Sequence, residues 1–304
     1  MKAPTLISIM GPTASGKTSL SISVAKALNT EIISCDSRQF YRELAIGSAP
    51  PSPKELKEVP HHFIADRSVT SELSAGEYAQ EARQVLQRVF SEHNEKAILV
   101  GGSGLYADGI MYGFDSMPTI PVNIREELNS QWQEEGLAPL VNELTLADPE
   151  FSAKADLKNP VRVIRALEVI RHTGSSFSSF RKQHLTSRKG LYHLEKVALD
   201  WPREELYERI NQRVDHMMTA GLLEEVQGLL PHQHLQSLNT VGYVELFSYI
   251  NGDISLEFAV EEIKKNTRRF AKRQLTWLRK DPQILWIPAM ENAFEIAKKH
   301  FKWE

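Results

Sequence analysis

Gly11, Pro12, Thr13, Ala14, Ser15, Gly16, Lys17 and Thr18 read GPTASGKT, which fits G-x-x-x-x-G-K-[ST] with every fixed position filled. In that pattern the backbone N–H groups of the loop and the positive end of the following helix face an anionic phosphate. Lys17 supplies a mobile positive charge, and the Thr18 hydroxyl is a ligand for Mg²⁺. A glycine-rich turn that binds nothing would share the glycines but not the context. Here an apolar, β-rich run, Thr5–Met10, precedes the loop, and Leu20, Val24 and Leu28 follow it at helical spacing. The loop therefore joins a strand to a helix, as the chemistry requires. Which kind of phosphate it holds is left open, since nucleoside triphosphates are only one of the clients of such a loop.

Three further positions could do chemistry. "EIISCD" (Glu31–Asp36) puts a carboxylate at a strand tip, in "DSRQFY". "VGGSGLY" (Val100–Tyr106) surrounds Ser103 with Gly101, Gly102 and Gly104, which let backbone approach a ligand closely. "REELYERINQRVDHMM" carries Arg209 and Arg213 one helical turn apart. Each alone is a weak signal, because strand-end aspartates are often caps and helical arginines are usually a solvated face. The stretch Ile263–Lys280 is less ambiguous, with eight Lys or Arg and no acid, where a merely solubilising face would mix both signs. As a helix it sets Lys264, Arg268 and Lys272 beside Lys265, Arg269 and Arg273, and turns Ile263, Phe270, Trp277 and Leu278 toward a core. Such a stripe attracts polyphosphate and reads as a nucleic-acid track. His61, His62 and Asp66 do not read as a metal site, because neighbouring residues of a strand face opposite ways. Cys35, the single cysteine, is expected to be a buried bystander and excludes an intramolecular disulfide or a cysteine-based zinc site.

The elements that would position these residues alternate. Strands are expected at Thr5–Met10, Glu31–Asp36, His61–Asp66, Lys96–Gly102, Glu195–Asp200 and Gln283–Pro288, with helical stretches between them. That rhythm predicts an α/β fold, a P-loop NTPase-like parallel sheet flanked by helices, with ligands at the carboxyl ends of the strands. From about Pro118 to Leu191 no strand pattern appears, only helical ones such as "VRVIRALEVIRHTG". The expected organisation is a catalytic core at 1–117 and 192–304, carrying the nucleic-acid-binding C-terminal helices, and a helical insertion domain at 118–191. With 304 residues, 41% of them hydrophobic and 25% charged, the composition is that of a globular chain with a sizeable core. No apolar run is long enough to span a bilayer, so the expectation is a cytoplasmic protein without membrane contact. The net charge of −3 averages over a very uneven distribution.

Taken together, "GPTASGKT", "ISCDSRQFY", "IGSAPPS", "PHHFIAD", "VGGSGLY", "NPVRVIRALEV", "TVGYVEL" and "FAKRQLTWLRK" resemble the bacterial tRNA dimethylallyltransferases, block by block and in the same order, nearly end to end. The resemblance implies that the cradle holds the diphosphate of dimethylallyl diphosphate, and that the prenyl group passes to the exocyclic amine of the adenine 3′ of the tRNA anticodon. An aromatic amine is a poor nucleophile, so a base that removes its proton as the bond forms is useful, and Asp36 is the candidate. Ser103 stands where the family commonly has Thr, beside the target amine. Lys17, the loop amides, Mg²⁺ on Thr18, and Arg213 in preference to Arg209 would stabilise the leaving diphosphate. The resemblance further implies tRNA contacts at Asp36, Ser37, Arg38 and Gln39; at Ser103 and Arg125; at Val161, Arg162, Val163, Ile164 and Arg165; and at Thr240, Val241, Gly242, Tyr243, Val244 and Glu245. It implies the same for Lys272, Arg273, Gln274, Leu275, Thr276, Trp277, Leu278 and Arg279. The adenine would be flipped out of its stack to reach the carboxylate, the insertion would clasp the anticodon stem, and the working form is expected to be a monomer. Two rivals remain: a kinase, which would use the cradle for ATP but leave the basic stripe idle, and a non-catalytic RNA-binding module, which would leave Asp36 and the cradle idle.

Overall fold

The computed structural model describes residues 3–71, 73–114, 117–182, 191–290 and 292–303. Its chain divides into two compact units, Met1–Tyr112 with Gly190–Glu304, and Gly113–Lys189. The sequence boundaries expected for the insertion were 118 and 191, and residues 183–190 of that segment lie outside the described residues.

In the first unit the chain runs β1 (Thr5–Met10), α1 (Lys17–Leu28), β2 (Ile32–Ser34), α2 (Pro53–Glu58), β3 (His61–His62), α3 (Ala75–Glu92), β4 (Lys96–Gly101) and α4 (Gly104–Met111). The second unit contains α5 (Val122–Glu135), α6 (Leu137–Ala147), α7 (Pro149–Ser152), α8 (Pro160–Thr173) and α9 (Phe177–Lys182). The first unit resumes with β5 (His193–Asp200), α10 (Arg203–Thr219), α11 (Leu222–Gly228), α12 (Tyr243–Ile250), α13 (Leu256–Leu278), β6 (Leu285–Pro288) and α14 (Ala293–Phe301).

The strands form one sheet in the order β3-β2-β4-β1-β5-β6, and every neighbouring pair is parallel. All carboxyl ends therefore lie along one edge. β1, at the centre, shows why it belongs there: Leu6 and Met10 enter one hydrophobic cluster with Tyr78, Leu86 and Leu99, while Ile7 and Ile9 enter another with Val24, Ile98 and Ile287. Alternate residues face opposite sides, and both sides are covered by helices. Each such side chain contributes about 1.5–3 kcal/mol on burial. A third cluster joins Tyr41, Leu44, Leu222, Val226, Tyr243, Leu246 and Ile263 around the C-terminal helices. The second unit has its own core, built from Leu128, Leu140, Leu144, Val163, Ile164 and Leu167.

Four strands are shorter than the sequence pattern suggested: β4 ends one residue early, at Gly101, β6 starts two residues late, at Leu285, and β2 and β3 are cut further. β3 stops at His62 because Phe63 and Ala65 adopt left-handed backbone, φ 63° and 51°, which a strand cannot continue through. β2 ends at Ser34, and the chain turns at once: Gln39 N–H donates to Asp36 O and Tyr41 N–H to Arg38 O. β5 begins two residues earlier than expected, at His193.

Candidate active site

The loop between β1 and α1 is held from outside by its own carbonyls. Lys17 Nζ donates to Pro12 O at 2.7 Å, Arg209 Nε to Ala14 O at 2.9 Å and Trp201 Nε1 to Ser15 O at 2.9 Å. With these oxygens engaged, the remaining loop N–H groups and the first turn of α1 are the polar groups left for an anion. Two glycines are required here. Gly16, at φ 90°, caps α1 in left-handed backbone, and a Cβ on Gly11 would stand 2.8 Å from Ser15 Oγ.

Charge in the cradle is poorly compensated. Burial pulls the Lys17 ammonium down to about 8, against the opposing pull of the Asp36 carboxylate, and the Arg213 guanidinium lowers it further. Burial also lowers Arg213, again opposed by Asp36. Among the described residues Arg213 has no hydrogen-bond partner, so it is a half-buried cation whose guanidinium is available to an anion in the cleft. Asp36 Oδ1 accepts from Arg38 N–H at 3.1 Å, which fixes the carboxylate in a turn, and its Oδ2 has no hydrogen-bond partner among the described residues.

The two arginines that share a helix face have different surroundings. Arg209 lies over the Trp201 ring, 4.4 Å from its centroid, and braces Ala14 O; it is part of the loop's scaffold. Arg213 is the one left free among the described residues.

Ser103, the N-cap of α4, accepts from Ser37 N–H at 3.2 Å and donates to Ser37 Oγ at 3.2 Å. Its hydroxyl thus ties the β4 tip to the β2 tip that carries Asp36. Beneath that tip Phe40, Phe63, Tyr78 and Tyr106 form an aromatic group, and Tyr78 Oη donates to Ser34 O at 2.6 Å. Arg38 reaches the other way, donating to Ser237 O at 2.6 Å and Asn239 O at 3.2 Å.

These residues open onto one cleft of about 1000 Å³. It brings together Thr13–Thr18, Asp36–Gln39, Ser103, Arg213, Thr240, Val241, Gly242, Val244, Glu245, Arg273, Gln274 and Trp277, and does not include Lys272, Leu275, Thr276, Leu278 or Arg279. His61 lines the cleft with Nδ1 on Val59 O, while His62 faces away and meets Glu31 at 2.6 Å, so the two histidines do point apart. Cys35 is fully buried, and burial pushes its thiol up.

Several residues expected at a tRNA surface have buried side chains, among them Val163, Ile164, Tyr243, Glu245, Gln274 and Leu278. Each is consumed by the fold. Tyr243 Oη donates to Glu225 at 2.6 Å, and Glu245 accepts from Gly242 N–H and Asn266 Nδ2 at 2.8 Å each. What these segments offer outward is Val161, Arg162 and Arg165, then Val244, then Lys272, Arg273, Thr276 and Arg279. Arg125 and Arg165 both hold Glu168, whose side chain is wholly buried; Arg125 does so with two bonds, at 2.8 and 2.9 Å. Burial pushes that carboxyl up, and the two guanidiniums outweigh it and hold it below its ordinary value. Removing such partners strands a buried charge, at a cost of about 3–5 kcal/mol.

The stripe on α13 is likewise only half free. Lys264 pairs with Asp215 at 2.8 Å and Glu261 at 3.2 Å, Lys265 pairs with Glu262, and Arg268 donates to Asn211 at 2.6 Å. The acids come from the preceding turn and from α10, beyond the window in which the sequence showed none. Phe270, expected to face the core, is 38% exposed and lies beneath Arg273 at the cleft.

Sequence reasoning missed the residues that hold the site without touching a ligand: Trp201, Glu225 and the bracing roles of Arg38, Arg209 and Gln274. Glu225 accepts from Ile46 N–H at 2.7 Å and Gly47 N–H at 3.0 Å, an ordinary helical glutamate until the loop is folded against it. No local pattern marks such a residue.

A parallel sheet with a phosphate loop at its carboxyl edge and a deep cleft beside it defines a P-loop NTPase-like α/β protein with a group-transfer site. The pattern described as IPP transferase matches residues 39–281, and the chain belongs to that family. Similar proteins include "tRNA dimethylallyltransferase" of Christiangramia forsetii, 49% identical with 96% of this chain and 95% of that one covered. "tRNA dimethylallyltransferase 1" of Bacteroides thetaiotaomicron is 47% identical, covering 93% and 91%. Among solved structures, the tRNA isopentenylpyrophosphate transferase of Bacillus halodurans aligns with a TM-score of 0.72 at 34% identity, over 99% of this chain and 96% of that one. A eukaryotic dimethylallyltransferase acting on tRNA shares the fold, with a TM-score of 0.82 at 22% identity over 99% and 78%.

Proposed function

We propose that this chain transfers a dimethylallyl group from dimethylallyl diphosphate to N6 of the adenine 3′ of the anticodon in tRNA, releasing diphosphate. The observation that carries the reading is a pair of half-buried cations in the cleft, Lys17 and Arg213, whose charges interact with a fixed carboxylate that has a free oxygen among the described residues. The cations suit a leaving group whose charge grows as the carbon–oxygen bond breaks. Asp36 suits the opposite end of the reaction: as N6 bonds to the prenyl carbon, its proton passes to Oδ2, and the diphosphate departs with the electron pair.

A duplex-like stack would keep the adenine from Asp36, so the base enters the cleft flipped out. The outward Arg162, Lys272, Arg273 and Arg279 supply charge for the anticodon stem-loop, a sequence-independent attraction. The Thr18 hydroxyl at the cleft wall, together with diphosphate oxygens, is a hard oxygen donor set of the kind Mg²⁺ takes. Bound there, Mg²⁺ would neutralise charge on the diphosphate. A kinase reading accounts for the cradle, and for Asp36 as the base for a substrate hydroxyl, but leaves the basic helix without a purpose.

All residues of the cleft belong to one unit of one chain, which supports a monomer as the working form. Among the described residues no helix is long and apolar enough to cross a membrane. The reading locates the protein in the cytoplasm, where its tRNA substrate is. The test mixes the protein with tRNA and dimethylallyl diphosphate and measures the mass of the digested nucleosides: a dimethylallyl adduct on the adenine beside the anticodon is expected. Phosphate transfer from ATP without any prenylated nucleoside would overturn the reading.

A further inference from the structure

Gln274 sits on α13, the basic helix, yet its side chain points inward and is only 7% exposed. Its amide is bonded at both ends, to two elements far apart in sequence. Gln274 Oε1 accepts from Thr13 N–H in the phosphate loop at 3.0 Å, and Nε2 donates to Gly102 O at the β4 tip at 3.0 Å. The acceptor and donor ends are dictated by these partners, one an N–H and one a carbonyl. Gly102 leaves room for this amide: a Cβ there would stand 2.2 Å from Gln274 Nε2 and displace it. Three residues along the same helix, Trp277 covers Gly104, where a Cβ would lie 2.5 Å from the indole. The segment Gly102–Gly104 is therefore clamped by α13 on both sides of Ser103, and the Ser103 hydroxyl in turn holds Ser37 beside Asp36.

We propose that Gln274 is a positioning residue for the transfer: its amide fixes the distance between the diphosphate loop and the β4 tip, and so between the leaving group and the base that serves the acceptor. This rests on the transfer reaction proposed above. The physical reason is that two reacting partners are bound to different elements, and a shift of about 1 Å between them costs on the order of 10²-fold in rate. A single buried amide with both ends satisfied is a stiff spacer, whereas an apolar side chain of the same length would fill the space and leave Thr13 N–H and Gly102 O unpaired. The role differs from a tRNA contact, in which the side chain would act toward the cleft it lines rather than between two parts of the fold.

Gln274→Met and Gln274→Glu in the full chain test it, alongside the parent protein. Single-turnover prenyl transfer is measured at saturating tRNA and dimethylallyl diphosphate, with tRNA affinity measured separately. For Q274M the expected result is a rate lower by about 10–100-fold, with tRNA affinity within about twofold of the parent. Q274E carries the more specific signature. An ionised carboxylate accepts from Thr13 N–H but cannot donate to Gly102 O, while a protonated one does both. Its rate relative to the parent should therefore rise as pH falls from about 8 to about 5.5. Weakened tRNA binding with an unchanged saturated rate would make Gln274 an RNA contact and overturn the proposal, as would a Q274M rate within about twofold of the parent's. A ratio for Q274E that does not change with pH would do the same. If the parent itself gives no prenylated tRNA, it is the reaction that is wrong rather than the role of this residue.

Discussion

The phosphate loop and the basic helix α13 both present lysines and arginines, but they hold them differently. Around the phosphate loop Lys17 and, from α10, Arg213 are half-buried, their charges disfavoured by desolvation and balanced only in part by Asp36. On the first half of α13 the cations are of similar exposure but already paired with carboxylates, Lys264 with Asp215 and Glu261, Lys265 with Glu262. A paired surface cation contributes about 0–1 kcal/mol of stability and little affinity for anything else. An unpaired, partly desolvated one raises the energy of the empty site, and that energy is recovered when an anion arrives. The number of positive residues in a segment is therefore a poor guide to where it binds phosphate, and their partners are a better one.

The largest effect should come from the carboxylate that acts electrostatically on both cations, Asp36. Asp36→Asn keeps size and hydrogen bonding but cannot take the proton, so single-turnover transfer at saturating substrates should slow by about 10²–10⁴-fold with donor binding nearly unchanged. A rate within about threefold of the parent would show that Asp36 is not the base.

Next in size, Lys17→Ala and Arg213→Ala should each lower transfer by about 10²–10³-fold in a protein that remains folded. Arg209→Ala removes a brace rather than a charge aimed at the leaving group, and should cost less than Arg213→Ala. Equal losses at the two positions, measured as kcat/KM for the donor, would erase the distinction drawn from their partners.

On α13 the expected effect is smaller and appears in salt dependence. Neutralising Lys272, Arg273 and Arg279 should flatten the log–log dependence of tRNA affinity on salt by about 0.7–0.9 for each phosphate no longer neutralised. Neutralising Lys264 and Lys265 should leave that slope in place. If both sets flatten it alike, the internal pairs do not persist in the complex.

The subtlest effect concerns pH. Because desolvation pulls the Lys17 ammonium of the free protein down to about 8, its charge is present below that pH and is lost as pH rises through it, so donor affinity should fall above about 8. The Asp36 carboxylate favours the charged form of Lys17, and Asp36→Asn should move that inflection to lower pH. Donor titrations across the range measure both, and an inflection that does not move would show that the two groups do not interact.

Much of this was legible in the sequence. The phosphate loop could be read because its chemistry is local: eight consecutive residues contain both the glycines the backbone needs and the side chains the ligand needs. The strands could be read because burial on both faces requires an apolar run, as in Leu6–Met10, and the left-handed turns at Phe63 and Ala65 that cut β3 short could not, since neither residue type announces them. The family resemblance carried Asp36, Ser103 and Arg213 to the site as positions.

What only the tertiary structure decided is which of those groups are free. Arg209 and Arg213 stand four residues apart on one helix face, and what separates them physically is that Trp201 and Ala14 O are folded against Arg209. Gln274 looks like one polar residue in a basic stripe, and becomes a spacer only when Thr13 and Gly102 arrive from distant segments to occupy both ends of its amide. The sequence determined which groups the chain contains and where along the sheet edge they fall. Whether a given group binds a ligand depends on whether the fold has already satisfied it, and its partners come from segments as far as 261 residues away.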